Sequence, residues 1–353
     1  MNLSRSSRSS VHTPKRDREQ RRAARNSAER ASEFQQRNLR RDIWLIVILA
    51  VLVAAAIAMY VAYGVVGNIE YVMQRRLASV SALAIVAIAI GVSTTLFQTI
   101  TANRLLTPSI MGFDALYVLL QTILVWATGM TGAAMFGVVG QFWLEVGAMV
   151  GFSVLLYGWL LSANTRVHKL LLIGVVFGML FRGVSTFFQR LLDPDAFAVL
   201  QNTFFASFTD IDKELVPVAA ALTFAGVCLA WFDRKRLDVM SLGVPIATNL
   251  GINPRFMRVR ILATVALLVS VSTALVGPVT FFGLIVVHLA YRMIRVSRHA
   301  FLLPAASLIG MFALIFGQVL VERVFKLDIT LSIIIEFLGG LLFLVLVLRR
   351  KPL

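Results

Sequence analysis

The sequence is poor in cysteine and histidine and has no phosphate-binding glycine loop. The single cysteine, Cys228, lies within an apolar run, which excludes a disulfide framework and a thiolate metal site. No Gly-x-x-x-x-Gly-Lys-Ser/Thr segment occurs, so the chain lacks the loop that commonly cradles ATP phosphates. The four histidines are His12, His168, His288 and His299. Their spacing fits no metal-ligand pattern, so we predict no metal site, no catalytic residue and no cofactor of the chain's own.

Acidic residues are also scarce, whereas apolar residues are abundant. Asp and Glu number 18 against 34 Lys and Arg, which gives a formal net charge of +16. Hydrophobic residues make up 58% of the chain, and the mean hydropathy is +0.82. Soluble domains contain about 45–50% apolar residues. The composition therefore predicts a membrane protein.

The first 42 residues form a basic segment with twelve Lys or Arg residues and few apolar ones. Such a segment cannot bury a core, so we predict a disordered cytoplasmic tail. Its charge suits contact with anionic lipid of the inner leaflet. Nucleic acid is the alternative partner for a basic run, but the apolar run that begins at Ile43 argues against it. Residues 43–353 are the predicted transmembrane domain.

Ten apolar runs approach the roughly 20 residues that a helix needs to cross the bilayer core. The predicted fold class is therefore all-α, a polytopic membrane protein of about ten helices. The third, seventh and eighth runs are short. The runs are Ile43–Val66, Leu77–Ile100, Asp114–Thr128, Gly132–Leu161, Leu170–Leu191, Leu215–Phe232, Ile261–Val276, Phe281–Ile294, Phe301–Arg323 and Ile329–Leu348.

The charges between these runs are distributed unequally. Loops after even-numbered runs are basic, with Arg104, Arg166, Arg295 and Arg298 among their charges, whereas loops after odd-numbered runs mix acids with bases. Because cytoplasmic loops carry an excess of Lys and Arg, both termini are predicted to lie in the cytoplasm.

The polar segment 233–260 contains apolar residues at helical spacings, with Gly243, Pro245, Gly251 and Pro254 between them. This pattern predicts two short helices joined at a Gly-x-Pro turn on the membrane surface. Two interpretations stay open: a docking element for a cytoplasmic motor, or an amphipathic segment resting on lipid headgroups. A second short apolar segment, Ala196–Phe208, is predicted to be a helix at the outer face, either a re-entrant gate element or an amphipathic surface helix.

Three charged residues lie well inside predicted spans, away from the span ends, where an unpaired charge is costly. They are Glu145 in the fourth span, Arg182 in the fifth and Glu336 in the tenth. One hypothesis places Arg182 on a translocation pathway, where it meets an anionic ferric chelate. The alternative is a structural ion pair between Arg182 and Glu145.

Four stretches, taken in order, resemble the FecCD-type permeases of ABC importers for iron-siderophore complexes, haem and cobalamin. The stretches are Gly91–Gln98 running into Asn103–Gly112, then Ser241–Asn253, Gly277–Ala290 and Ile333–Gly340. Family members often carry Pro at Val287 and Asn-Pro at Asn103-Arg104. The Asn103-Arg104 form resembles the iron-chelate branch whose permeases form heterodimers.

The resemblance implies a set of partners at the cytoplasmic membrane: a second permease chain, two ABC ATPases that bind ATP and Mg, an extracytoplasmic substrate-binding protein, and ferric siderophore as cargo. It assigns Arg75, Arg76 and Arg323 to binding-protein docking, for which lipid-headgroup contact is the alternative. The candidate residues of the translocation pathway are Gln98 and the three charged residues Arg182, Glu145 and Glu336. The implied ATPase-coupling residues are Leu237, Met240, Ser241, Leu242, Gly243, Asn249, Leu250, Gly251 and Asn253.

Three alternatives to ferric-siderophore import remain open. Haem or cobalamin could be the cargo of the same kind of permease. An ion-gradient-driven secondary transporter would show paired halves, broken helices and several intramembrane carboxylates, and the sequence offers only Glu145 and Glu336 well inside a span. A scaffold that works through its basic tail is the third.

Overall fold

The computed structural model describes residues 14–63, 68–129, 132–162, 167–208, 211–296, 298–325 and 330–348. All regular elements within these ranges are helical. Residues 1–13, Arg166 and the charges that follow Leu348 lie outside them. The helices are α1 (Pro14–Ala62), α2 (Ile69–Thr101), α3 (Phe113–Thr128), α4 (Gly132–Ser162), α5 (Val167–Gln189), α6 (Pro194–Thr203), α7 (Leu215–Met240), α8 (Val244–Asn249), α9 (Pro254–Val276), α10 (Phe282–Met293), α11 (His299–Val319) and α12 (Leu331–Leu348).

Eight helices of the described part are long and apolar enough to cross a membrane. They are α1 from Gln36 onward, α2, α4, α5, α7, α9, α11 and α12. Two shorter apolar helices, α3 and α10, occupy the third and eighth predicted spans. The predicted all-α polytopic architecture is therefore confirmed, while the number of crossings and the cytoplasmic position of the termini stay predictions.

The first helix differs from the sequence prediction. It begins at Pro14 and runs without a break to Ala62, so helix replaces the predicted disorder between residues 14 and 42. This segment is rich in Arg, Ala, Glu and Gln, which have high intrinsic helix propensity. The apolar half of the same helix is already formed, so helix can extend from it into the basic segment without a new nucleation step.

Helix α2 is the centre of the bundle. About four-fifths (78%) of its most apolar window is buried, against 17% for α12. It contacts α7, α9, α10 and α11. Gly91 allows a close approach of α11, since a Cβ there would lie 3.2 Å from the Ala306 carbonyl. Such close contact between backbones is typical of packed membrane helices.

Residues 194–208 form the predicted short helix and a buried segment after it. The helix is α6, and the residues that follow it turn inward, so Ala206 and Phe208 are buried. The Ser207 amide donates to the Val276 carbonyl at 2.9 Å, and Ser332 Oγ donates to the Ala206 carbonyl at 3.0 Å. Because irregular backbone at membrane depth needs such partners, the segment lies where protein surrounds it. Its gating role stays a prediction.

Candidate coupling element and translocation cavity

The coupling element, residues 241–253, connects α7 to α9. The prediction of two short helices is wrong: α7 continues to Met240, so only α8 is short, and the second helical stretch is the start of α9. Gly243 has φ +107° and Gly251 has φ +80°, conformations that side chains with a Cβ rarely adopt. The Ala247 amide donates to the Gly243 carbonyl at 3.0 Å and thereby opens α8. The glycines therefore set the two turns that bracket α8.

The predicted coupling residues divide into an inner and an outer set. Leu237 and Met240 are buried, as is Ala247 of α8. Asn253 caps α9, because its Oδ1 accepts the amides of Arg255 and Phe256 at 3.1 and 3.3 Å. The outer set is exposed: Ser241, Leu242, Asn249, Leu250 and Gly251. Leu242 and Leu250 leave about 60% of their surface open. An apolar surface of this kind suits a protein partner or lipid headgroups.

Two carboxylates of α7, the buried Asp233 and the half-buried Asp238, hold the coupling element to the bundle. Asp233 is 3% exposed and bridges Arg236 of α7 at 3.1 Å and Arg260 of α9 at 2.7 Å. Asp238 accepts from the His299 backbone amide at 2.8 Å, and the His299 Nδ1 lies 2.6 Å from it. The opposite ring nitrogen lies 2.8 Å from Thr99 Oγ1 of α2. The element is thus tied through α7 to α9, α11 and α2.

A second region surrounds Arg182 of α5. Its side chain is exposed and lines a cavity of about 370 Å³, the Arg182 cavity, together with Asp114, Gln189 and Phe204. Phe204 belongs to the segment that follows α6, so the predicted gate element borders this cavity. The wall combines a cation, a carboxylate and an amide with apolar side chains. This mixture of groups can bind an anionic ligand that carries polar substituents.

Asp114 was not singled out by the sequence, where it marks only the start of the third span. In the structure it is 9% exposed and lies within electrostatic range of Arg182 and Glu336. The Thr280 hydroxyl donates to its Oδ2 at 3.4 Å. The only local signal was an acidic residue at the start of an apolar run, directly after Gly112-Phe113.

Glu145 lies apart from this cavity. It is 3% exposed, and its Oε1 accepts from Gln121 Nε2 at 2.7 Å and from Gln141 Nε2 at 2.8 Å. Within the described ranges no ion pair joins Glu145 to Arg182, so the structure does not support that alternative. Glu145 instead holds α3 to α4 through hydrogen bonds from neutral amides.

The four predicted pathway residues therefore do not share one location. Arg182 and Glu336 lie near Asp114, whereas Glu145 belongs to the hydrogen-bonded cluster of α3 and α4. Gln98 is 2% exposed near the last turn of α2, where it lines a different cavity.

The three arginines predicted to dock a binding protein differ in environment. Arg75 is exposed, whereas Arg76 is 5% exposed. Arg76 Nη1 donates to the carbonyls of Val61 at 2.6 Å and Tyr63 at 2.9 Å, at the end of α1. A cation at this position donates hydrogen bonds to the terminal carbonyls and interacts favourably with the negative end of the helix dipole. Arg323 is partly buried, with its Nε 3.9 Å from Glu322. Docking by these residues stays a prediction.

The apolar helix bundle, its polar cavity and the exposed element between α7 and α9 define a polytopic membrane protein of the permease class. More specifically, the chain belongs to the FecCD transport family, whose model matches residues 43–349. It is accordingly a multi-pass protein of the cytoplasmic membrane and not itself an enzyme.

Two curated relatives cover nearly the whole chain. The petrobactin import system permease protein YclO of Bacillus subtilis (strain 168) is 41% identical over 307 residues, which is 87% of this chain and 97% of the relative. The petrobactin import system permease protein FatC of Bacillus anthracis is 33% identical over 339 residues, 93% of this chain and 95% of the relative.

A solved structure shares the fold. It is described as an inward-facing conformation of a metal-chelate type ABC transporter and superposes with a TM-score of 0.76 at 21% identity. The match covers 88% of this chain and all of that chain. At this identity the similarity supports the helix arrangement alone.

Proposed function

We propose that this chain is the permease subunit of an ABC importer that carries ferric siderophore across the cytoplasmic membrane. The observation that carries the proposal is membership of the FecCD family together with 41% identity to a petrobactin import permease. Separate ATPase chains bind ATP and Mg, a second permease chain completes the pathway, and an extracytoplasmic protein delivers the chelate. The second permease is a different chain, as the Asn103-Arg104 form indicates.

The coupling element is the surface on which the ATPase acts. Leu242, Ile246 and Leu250 present exposed apolar side chains, and Ala247 anchors the same short helix in the bundle. A partner that covers the exposed face removes that surface from water, which favours association. Force on α8 passes to α7 and α9 through short turns and through the Asp233 bridge to Arg260.

The Arg182 cavity is the part of the pathway that meets the cargo. Ferric siderophores with carboxylate or catecholate groups carry net negative charge, and an arginine within the membrane attracts such a ligand. Asp114 keeps the site from being uniformly positive, which limits how tightly an anion is held. Weak binding suits a translocation pathway, because cargo that binds strongly is released slowly.

Uptake of radioactive iron tests this function. The gene is expressed with its partner subunits in cells that lack their own siderophore permeases, and iron is supplied with defined chelators. We expect Arg182→Ala to abolish uptake while the complex still assembles, and Arg182→Lys to retain part of it. Arg190→Ala, at the exposed residue directly after the end of α5, serves as the matched control.

The energy source is tested in vesicles that contain the purified complex. Uptake that requires ATP and persists when ion gradients are collapsed supports the proposal. Uptake driven by an ion gradient through this chain alone would assign it to secondary transport instead.

A further inference from the structure

A second polar cavity, the Gln98 cavity, lies at the end of the bundle that carries the basic loops. It has a volume of about 420 Å³. It lies between the last turns of α2, α7 and α10 and the first turns of α9 and α11. Its polar wall consists of Gln98, Thr99, Arg104, Ser241, Arg258, Tyr291 and His299. The volume falls in the range of about 300–1,000 Å³ that is typical of small-molecule sites.

The charge on this wall is positive and uncompensated. Arg104 and Arg258 both line the cavity, and none of its lining residues is acidic. The Arg104 guanidinium carbon lies 4.4 Å from the centre of the Tyr291 ring, so the ring supports this cation from one side. Within the described ranges no carboxylate forms an ion pair with either arginine. A metal cation is therefore a poor occupant, and an anion is a good one.

Buried polar atoms in the wall lack partners. Gln98 is 2% exposed, yet neither its amide oxygen nor its amide nitrogen has a hydrogen-bond partner within the described part of the chain. The same holds for Arg258 Nε. Buried polar groups are nearly always hydrogen-bonded, because a missing partner is costly. A ligand with several acceptor oxygens would satisfy the Arg258 Nε–H and the Gln98 N–H together.

The neighbouring groups are already engaged and hold the wall in place. One His299 ring nitrogen lies 2.8 Å from Thr99 Oγ1, and the other lies 2.6 Å from Asp238. His299 and Asp238 therefore satisfy each other's hydrogen bonds, and within the described residues Asp238 forms no ion pair with Arg104 or Arg258. The two arginines and Gln98 are the groups left to bind a ligand.

We propose that the Gln98 cavity binds a small anion that carries a carboxylate or phosphate group. Arg258 and Arg104 hold the anionic oxygens, since guanidinium groups bind such oxygens in pairs, and the Gln98 amide donates to a further oxygen. A free anion and the phosphodiester of a lipid headgroup share this chemistry. Because Ser241 and Gly243 also line the cavity, an occupied site links the coupling element to α2. The site does not depend on the identity of the transported cargo.

Thermal unfolding of the full-length chain, purified in a neutral detergent with the subunits that accompany it, tests the site. Inorganic phosphate, citrate and short-chain phosphatidylglycerol are titrated separately, with chloride at matched ionic strength as reference. We expect a saturable rise in Tm with at least one of them. Arg258→Gln should weaken the apparent affinity by about tenfold to a hundredfold, the scale for losing a charged hydrogen bond. Arg255→Gln, with the same charge change on an exposed residue of α9, should leave it unchanged.

The pattern of responses identifies the source of the anion. Stabilisation by phosphate or citrate assigns the site to a free anion, and stabilisation by the lipid alone assigns it to a headgroup. Arg104→Gln provides a second variant with an exposed side chain in case Arg258→Gln does not fold. The proposal is overturned if no probe gives a saturable shift, or if the variants in the cavity respond like Arg255→Gln. The unfolding experiment does not depend on iron uptake, so failure of this proposal leaves the proposed function intact.

Discussion

Asp238 joins the end of α7 to the start of α11, and its replacement by alanine should both destabilise the protein and uncouple it. The carboxylate accepts two hydrogen bonds from His299, one from the backbone amide at 2.8 Å and one at Nδ1 at 2.6 Å. His299 is 3% exposed, so its backbone amide and Nδ1 lose their acceptor inside the protein when the carboxylate is removed. Each stranded buried group costs about 1–3 kcal/mol.

The total for Asp238→Ala is less than the sum of two full penalties. The Asp238 side chain is 30% exposed, so water can enter the space that it leaves and recover part of the loss. We expect about 2–4 kcal/mol of destabilisation, measured as a fall in the Tm of the purified complex. Asp238→Asn keeps one acceptor oxygen for His299 and should lose about half as much.

The functional readout is the amount of iron imported per ATP hydrolysed. If the Asp238–His299–Thr99 chain carries the movement of α7 to α2, Asp238→Ala should leave hydrolysis in place and lower that ratio. A purely structural role would lower both quantities together, in proportion to the amount of folded complex. An Asp238→Ala complex with wild-type Tm and a wild-type ratio would refute the reasoning.

Three further predictions use features of the backbone and of helix ends. Gly243→Val should strain a residue at φ +107° by about 1–3 kcal/mol, which lowers Tm and reduces transport per ATP. Gly340→Ala, where an added Cβ meets nothing within 4 Å, should change neither Tm nor transport per ATP. Gly91→Leu should prevent α2 from meeting α11 at the 3.2 Å approach, seen as loss of folded protein in size-exclusion chromatography. Arg76→Glu should lower Tm because it removes the cap of α1, whereas Arg75→Glu should lower only binding-protein-stimulated ATP hydrolysis; equal Tm values for the two would contradict this division.

The spans were predictable because hydrocarbon imposes one length and one composition on every crossing helix. The predicted boundaries failed where polar residues continue a helix beyond the apolar run. Leu77 was the predicted start of the second span, but Asn68 caps α2 through the amides of Glu70 and Tyr71, so the helix begins at Ile69. Polar residues also extend α7, which continues beyond its apolar run through a charged segment to Met240.

The sites were less predictable, because their residues come together only in three dimensions. Thr99 and His299 are 200 positions apart in the chain, and no spacing rule connects them. Asp114 and Arg182 share a cavity although each lies in a different predicted span. Glu145 was correctly recognised as an unusual charge, but its partners proved to be glutamines and not an arginine. Sequence can identify costly residues in a membrane, whereas the fold decides what compensates them.

Helix α2 connects the two ends of the proposed mechanism. At its basic end Thr99 contacts His299, and Gln98 lines the anion cavity. One to two turns earlier, Ser93 and Thr94 line a small void that they share with Asp114, which also borders the Arg182 cavity. Because α2 is buried and close-packed along most of this length, it has little freedom to bend locally. A displacement imposed at the coupling element should therefore reach Asp114 and the Arg182 cavity as a movement of the whole helix.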